Sequence, residues 1–154
     1  MSTRLTLRFA SAHDQPAIVR LVRSERLNPH ALHWPNFIVA ECGGRLVGAV
    51  QMRLHGDGSR ELGSLVVDPA YRRQGIGGRL IGGLLNVQDK ASAVHVITAR
   101  TRARYFAAWG FRTIAPCRAP RAVRRNHRRG QFAGGLMSLL HGRLPQRLVV
   151  LERC

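Results

Sequence analysis

Apolar and polar positions alternate from the amino end: Met1-Ser2-Thr3-Arg4-Leu5-Thr6-Leu7 leads to Phe9, and Leu5, Leu7 and Phe9 share one face of a strand expected over 4–9. Asp14 can cap a helix over about 17–24, with Pro16 in its first turn and Ile18, Leu21 and Val22 as its apolar side. Residues 27–36 hold Pro29 and Pro35 and are ambiguous, with room for one short helix. Two β-type runs, 37–41 and 46–54, flank Cys42-Gly43-Gly44-Arg45, which is a hairpin pattern. A second turn, His55-Gly56-Asp57-Gly58-Ser59, leads into a strand over 61–67, so three antiparallel strands are expected before the first long helix.

That helix begins after Arg72-Arg73-Gln74-Gly75-Ile76-Gly77. Ile76, Leu80, Leu84 and Val87 recur at helical spacing, and Ile81 and Leu85 widen the stripe. Gly77, Gly78, Gly82 and Gly83 cost helix propensity, which suggests that backbone must come close to a ligand or to the sheet. Lys90 near the helix end suits its dipole. Ala93-Val94-His95-Val96-Ile97-Thr98 is a short strand, and the strand–helix–strand crossover makes it parallel to the one at Leu62. Thr101 can cap a short helix to Trp109, with Gly110 closing it and a strand over 111–115 following. Residues 119–128 have a helical pattern, 134–140 follow no clear pattern, and 147–151 form a last apolar strand. No repeat or linker divides the chain, so one domain over 1–154 is expected.

Composition changes this picture in one respect. The apolar share of 45% is that of an ordinary globular protein, but 25 basic residues stand against 8 acidic ones, for a net charge of +17. No acidic residue occurs between Asp89 and Glu152, an interval holding Lys90 and twelve arginines. Such a field captures anionic ligands and could equally favour nucleic acid. An arginine-biased solvated surface is the plainer account of most of the excess. Against nucleic acid, the arginine run over 118–129 has no interleaved aromatic for base stacking. No apolar run approaches the roughly 18–20 residues that span a membrane, and the start lacks a signal peptide's apolar region. A soluble cytoplasmic protein with no membrane partner is therefore expected. Cys42, Cys117 and Cys154 are odd in number and far apart, and no metal site is expected.

The chemistry concentrates where the strand over 62–67 runs through Asp68-Pro69-Ala70-Tyr71 into the glycine turn. A helix start leaves N–H groups without partners and aims them at one place, which makes a cradle for a diphosphate beside Arg72, Arg73 and Arg79. Glu61 opens the same strand. A carboxylate there either acts as a general base, directly or through water, or pairs with Arg60 or Arg53, and both readings stay open. Tyr105 offers a neutral acid near the helix after the second parallel strand, although it adjoins Phe106 and only one of them can face a cleft squarely. Thr98 and Thr101 could hydrogen-bond a substrate carboxylate, while His95 inside the strand is a packed or edge residue. The loop over 27–36, with His30, His33 and Trp34, is a candidate wall for a substrate.

Val66-Val67-Asp68-Pro69-Ala70-Tyr71-Arg72-Arg73-Gln74-Gly75-Ile76-Gly77 resembles the acetyl-CoA-binding motif of the GCN5-related N-acetyltransferases, Arg/Gln-x-x-Gly-x-Gly/Ala after a Val-x-Pro strand end. Tyr105-Phe106-Ala107-Ala108-Trp109-Gly110-Phe111 resembles that family's second aromatic–Gly–Phe motif, and the resemblance runs over about 5–114. It implies an α/β fold of the acyl-CoA N-acyltransferase kind: a mixed sheet with antiparallel N-terminal strands, a central parallel pair splayed around the cofactor, and helices on both faces. It also implies acetyl-CoA as cofactor, its pyrophosphate held by backbone from Gln74, Gly75, Ile76, Gly77 and Gly78. Leu65, Val66 and Val67 would pair with the pantetheine arm, and Glu61 stands where several members have a base. The family's acid tyrosine falls on Phe106, with Tyr105 next to it. Glu61-Leu62-Gly63-Ser64-Leu65 and Thr98-x-x-Thr101 more narrowly resemble the stand-alone amino-acid acetyltransferases of the N-acetylglutamate synthase type. There Arg100, Arg102 or Arg121 would clamp a carboxylate, and Trp34, Thr98, Thr101 and Arg100 would line the substrate. That branch's Cys-Pro tail segment is absent here, with 130–136 near its place. The expected reaction is acetyl transfer to a small-molecule amine, with a homodimer open as an assembly. The alternatives are a peptide or protein acetyltransferase, a non-catalytic acyl-CoA-binding homologue, and a basic nucleic-acid-binding module.

Overall fold

The computed structural model describes residues 4–154; Met1, Ser2 and Thr3, which begin the alternating pattern, lie outside the described residues. The fold is a mixed α/β arrangement of sheet and helices, and the chain divides into two compact units. One runs up to Arg53 and takes Gly63–Gln88; the other takes Leu54–Leu62 and Asp89–Cys154.

The first unit contains β1 (Leu5–Phe9), α1 (Gln15–Ser24), β2 (Phe37–Cys42), most of β3 (Arg45–Leu54), the later part of β4 (Arg60–Val67) and α2 (Ile76–Asn86). Its strands neighbour one another in the order β1, β2, β3, β4, with β1–β2 and β2–β3 antiparallel. Ile18 and Val22 of α1 bury their side chains against Phe37, Val39, Ala49 and Val66. The stripe on α2 is buried at Ile76, Leu80, Ile81, Leu84 and Leu85, but Val87 lies past the last helical residue and is half exposed. Asp14 occupies the position before α1 without capping it. Its carboxylate instead accepts from the Ser11 N–H at 2.7 Å and from Arg8, whose guanidinium also takes Glu41 at 2.8 Å. The Arg8 contact holds the Asp14 carboxyl well below the usual carboxylate range.

Helix α2 lies close to β3 because residue 48 has no side chain. A Cβ on Gly48 would stand 3.0 Å from Leu80 Cδ1, 3.3 Å from Ile76 Cγ2 and 3.3 Å from the Val66 carbonyl. On the helix itself Gly83 is less constrained, since a Cβ there would meet Leu7 at 3.4 Å.

The second unit holds the start of β4, then β5 (Val94–Ala99), α3 (Ala103–Ala107), β6 (Arg112–Ile114), α4 (Arg121–Leu140) and β7 (Leu148–Arg153). Its strands lie in the order β4, β5, β7, β6. β4 and β5 are parallel, as the crossover requires, with Arg60, Glu61 and Leu62 opposite Val94, His95 and Val96. β7 inserts antiparallel between β5 and β6. A small core of Ala119, Val123 and Val150, with Ile97 and Ile114 against it, seats α4 on this sheet.

Three expectations are corrected in this unit. Thr101 does not cap a helix: it lies inside a 3-10 turn (Arg100–Arg102), and Arg102 precedes α3 without a side-chain cap. α3 ends at Ala107, so Gly110, at φ +81°, closes the turn after the helix instead of standing next to its last residue. The tract from 121 does not stop near 128 but continues as one 20-residue helix through Gly130, Gly134 and Gly135.

The start of α4 is held from a distance. Asp57, in the turn between β3 and β4, accepts from the Ala122 N–H at 2.9 Å and from the Ser59 hydroxyl. It supplies from another segment the cap that Pro120, which precedes the helix, cannot.

Two outcomes follow from these contacts. Gly48→Val places a branched side chain against Leu80, Ile76 and the Val66 carbonyl, and thermal unfolding is expected to show a loss of about 1–3 kcal/mol. The Ser59 hydroxyl first, and then the Ala122 amide, hold the Asp57 carboxyl down at about 2 from an ordinary 3.8. Stability from such a depressed carboxylate is fully present above its unfolded value and is lost as pH falls through about 2. Hydrogen exchange at neutral pH is expected to show lower protection of the Ala122 amide in Asp57→Ala, and Asp57→Ala stability is expected to change less on acidification than that of the parent.

Candidate functional site

The glycine turn is built in two steps. Asp68 ends β4: its N–H donates to the Val47 carbonyl at 2.8 Å, its carboxylate accepts from the Ala70 N–H at 3.0 Å, and Arg45 meets it at 2.8 Å. The chain then makes a 3-10 turn (Pro69–Tyr71) and passes through two left-handed residues, Arg73 at φ +61° and Gly75 at φ +74°. Gly75 is the residue before α2, where the left-handed conformation favours glycine. The first amide to donate back into the helix is that of Arg79, to the Gly75 carbonyl at 3.1 Å. The amides of Ile76, Gly77 and Gly78 are those that a helix start leaves without intrahelical acceptors. Ile76 sends its side chain into the core, and Gly77 and Gly78 have none, so these three residues add no side-chain bulk at the turn.

The three arginines of this region are not equivalent. Arg72 Nε donates to the Val67 carbonyl at 3.2 Å, and its guanidinium pairs with Glu25 of the residues just after α1. Its side chain therefore braces the turn while staying about half exposed, at 48%. Arg73 and Arg79 are exposed.

Upstream on β4, Ser64 is left-handed at φ +51° inside a strand. Gly63 precedes it because Arg53 lies across its α-carbon: a Cβ there would be 2.6 Å from an Arg53 nitrogen. Buried Gln51 links this kink to the loop that precedes β2, in the orientation that satisfies both ends of its amide. Its oxygen faces the Ser64 hydroxyl at 2.8 Å and Arg53 at 3.1 Å, and its nitrogen donates to the Ala31 carbonyl at 3.0 Å. Gln15 clamps the same loop, donating to the Leu32 carbonyl and accepting from the Trp34 N–H at 2.8 Å. Trp34 is partly exposed at the head of a 3-10 turn (Trp34–Asn36), which takes in Pro35 instead of lying between the two prolines.

In the second unit Glu61 is 4% exposed, which sets its chemistry. His55 Nε2 lies 2.9 Å from Glu61 Oε2, and Asn126 Nδ2 of α4 donates to the same oxygen at 3.0 Å. Arg60 points elsewhere, donating to the Asp89 carbonyl. The sequence singled out neither His55 nor Asn126. His55 stood in a turn, and Asn126 was hidden in the arginine run 65 residues away. Next to Glu61 in register is His95, 2% exposed, whose Nε2 meets Glu152 Oε2 across the β5–β7 ladder at 3.0 Å. Its Nδ1 is buried without a hydrogen-bond partner among the described residues. His95 is thus a packed residue.

The remaining candidates separate cleanly. Phe106 is buried, with its ring edge-on to Phe111 at 5.9 Å. Tyr105 is 46% exposed and tilted against Trp109 at 5.1 Å, and partial burial raises the pKa of its hydroxyl. It therefore stays protonated through the neutral range, which suits an acid. Thr98 is half-buried on β5 opposite Val149, whereas Arg100 and Thr101 are exposed just beyond the strand.

A family model described as an acetyltransferase (GNAT) domain matches residues 33–113, which is over half of the chain. Among curated proteins no sequence matches. Among solved structures, N-acetylglutamate synthase from Neisseria gonorrhoeae, complexed with coenzyme A and N-acetyl-glutamate, is similar over 99% of this chain at 21% identity and a TM-score of 0.73. The chain spans only 35% of that protein's length. Rv2747 from Mycobacterium tuberculosis, solved with CoA, is similar at 23% identity and TM-score 0.70, covering 96% of this chain and 98% of that one. Diaminobutyrate acetyltransferase EctA from Paenibacillus lautus, in complex with L-2,4-diaminobutyric acid and coenzyme A, matches at 16% identity and TM-score 0.63, covering 97% and 96%. These likenesses fix the fold, and the match over 33–113 fixes the family: the chain belongs to the GNAT acetyltransferases.

Proposed function

We propose that this chain transfers the acetyl group of acetyl-CoA to the primary amine of a small molecule, with an amino acid as the substrate class. The observation that carries the reading is the strand–turn–helix from Val66 to Gly78, with its left-handed Gly75 and the amides of a helix start, in a chain of the GNAT family. The amides from Gln74 to Gly78 would bind the CoA pyrophosphate, with Arg73 and Arg79 adding charge and Arg72 holding the turn in shape. Backbone of Leu65, Val66 and Val67 would pair with the pantetheine arm. These residues follow the left-handed kink at Ser64.

In the proposed reaction the neutral amine attacks the thioester carbonyl directly, a C–N bond forms, and the C–S bond breaks to release CoA as a thiolate. The amine's proton passes to Glu61 or, through the 2.9 Å contact, to His55. A burial as deep as that of Glu61 makes water a natural carrier between the carboxylate and the amine. The thiolate takes a proton from Tyr105, whose hydroxyl carries one at neutral pH. Trp34, Thr98, Thr101 and Arg100 are the proposed substrate contacts, with Arg100 suited to a carboxylate. The likeness to N-acetylglutamate synthase and to diaminobutyrate acetyltransferase supports an amino-acid acceptor.

Release of CoA thiol from acetyl-CoA, measured across panels of amino acids, polyamines, aminoglycosides and peptides, is expected to respond to free amino acids. Turnover only with peptides, or no binding of acetyl-CoA, overturns the reading. Glu61→Gln is expected to lower kcat/KM on the order of 100-fold, mainly below the pKa of the substrate amine. An unchanged pH–rate profile in a folded Glu61→Gln protein removes Glu61 as base. Tyr105→Phe is expected to lower kcat and leave KM for acetyl-CoA unchanged.

A further inference from the structure

Helix α4 changes character at Gln131. Before it, Ala122, Val123, Asn126 and His127 face the sheet, and Gly130 comes so near β7 that a Cβ would stand 3.1 Å from Leu148. Gln131 then closes the contact, since its side chain donates to the Gln146 carbonyl at 3.2 Å and accepts from the Leu148 N–H at 2.7 Å. Residues 132–146 are thus an excursion whose two ends are tied at one amide.

Phe132, Leu136, Met137, Leu139, Leu140 and Leu144 are all exposed, from 51% at Met137 to 91% at Leu144. Around Gly134 and Gly135 there is open space where a Cβ would stand. Six large apolar side chains within thirteen consecutive residues form the kind of patch that marks an interaction surface.

The charges beside it say what kind. At about 100° per residue, Arg121, Arg125 and Arg128 fall on the same line along α4 as Phe132, Leu136 and Leu139, within an arc of about 80°. Arg129 is also exposed, Arg143 and Arg147 flank the return, and no acidic residue occurs between Asp89 and Glu152. Charge and apolar surface therefore succeed one another along the helix instead of sitting on opposite faces. The apolar positions from 132 to 140 also fan over about 160°, broader than the single stripe that a partner helix covers. A second copy of the chain would bring another charge of +17 against this one. A phospholipid surface covers apolar groups from every side and offers phosphates to the arginines.

We propose that residues 132–146 insert into the interfacial layer of an anionic phospholipid membrane, with Arg121, Arg125, Arg128 and Arg129 on the headgroup phosphates. No helix of the described residues is long and apolar enough to cross a membrane, and the proposal needs none. The helical part of the excursion is about 13 Å long, of the order of the interfacial depth. The expectation of no membrane partner rested on spanning length, which does not bear on a helix end that dips into one leaflet.

The test is co-sedimentation of the full chain with phosphatidylcholine vesicles, with and without phosphatidylglycerol. Binding is expected only with phosphatidylglycerol and is expected to fall as salt rises. Joint replacement Phe132→Ser, Leu136→Ser and Leu139→Ser is expected to weaken it by at least roughly tenfold, with the fold retained by circular dichroism, since all three side chains are more than half exposed. Arg125→Glu with Arg128→Glu is expected to weaken it by roughly fivefold or more per position. Absence of binding, equal binding to phosphatidylcholine alone, or binding that survives the serine replacements overturns the proposal. So does a lipid-free dimer, seen by sedimentation velocity, that the same replacements abolish, because the surface then belongs to a second copy.

Discussion

The missing side chain at position 48 sets the distance between α2 and the sheet, and the glycine turn depends on that distance. Ile76 and Leu80 descend onto Gly48 beside the Val66 carbonyl, so the first turn of the helix and the end of β4 are fixed against one another. Asp68 secures the strand end through Val47 and Ala70, and Arg72 ties the turn back to Val67. Between these anchors the backbone has one way round, through the left-handed residues Arg73 and Gly75. Close packing, and not the glycine run alone, is what aims the amides.

The second unit solves a different problem, which is how to keep a carboxylate buried. Glu61 accepts from Asn126 and contacts His55, so that its charge or its proton is shared among neighbours instead of being left in an apolar setting. The cost is dependence on α4, because the asparagine comes from that helix. Asp57 answers the dependence by holding the first turn of α4 from the same β3–β4 turn that carries His55. Two residues of one short turn, His55 and Asp57, thus serve the acid and the helix that covers it.

Much of this was legible in the residues. The hairpin at Gly43-Gly44, the parallel crossover from Leu62 to Val94 and the helix after Gly75 all follow from local periodicity and turn chemistry, and these forces act over a few residues. What escaped was long-range or context-bound. Two partners of Glu61, His55 and Asn126, are 6 and 65 residues away. Thr101 has the chemistry of a cap, but the chain tightens into a 3-10 turn there and the cap position passes to Arg102. Gly130, Gly134 and Gly135 are poor helix formers and blur the helical pattern beyond 128, yet α4 runs through them to Leu140 from a first half that packs on the sheet. The partner of Arg72, Glu25, lies 47 residues earlier in the chain.

The clamp at Gln131 has a consequence for how this chain tolerates change. Strand β7 takes its register from its ladders with β5 and β6, and one amide joins Gln146 and Leu148 to α4, so neither contact depends on the length of chain that intervenes. The closed segment behaves as a side loop on a finished scaffold. The entropy of closing such a loop rises only with the logarithm of its length, about 0.6 kcal/mol for each doubling. Residues can be added to or removed from it at little cost to the sheet, so this is where the fold can acquire a new surface without renegotiating its core.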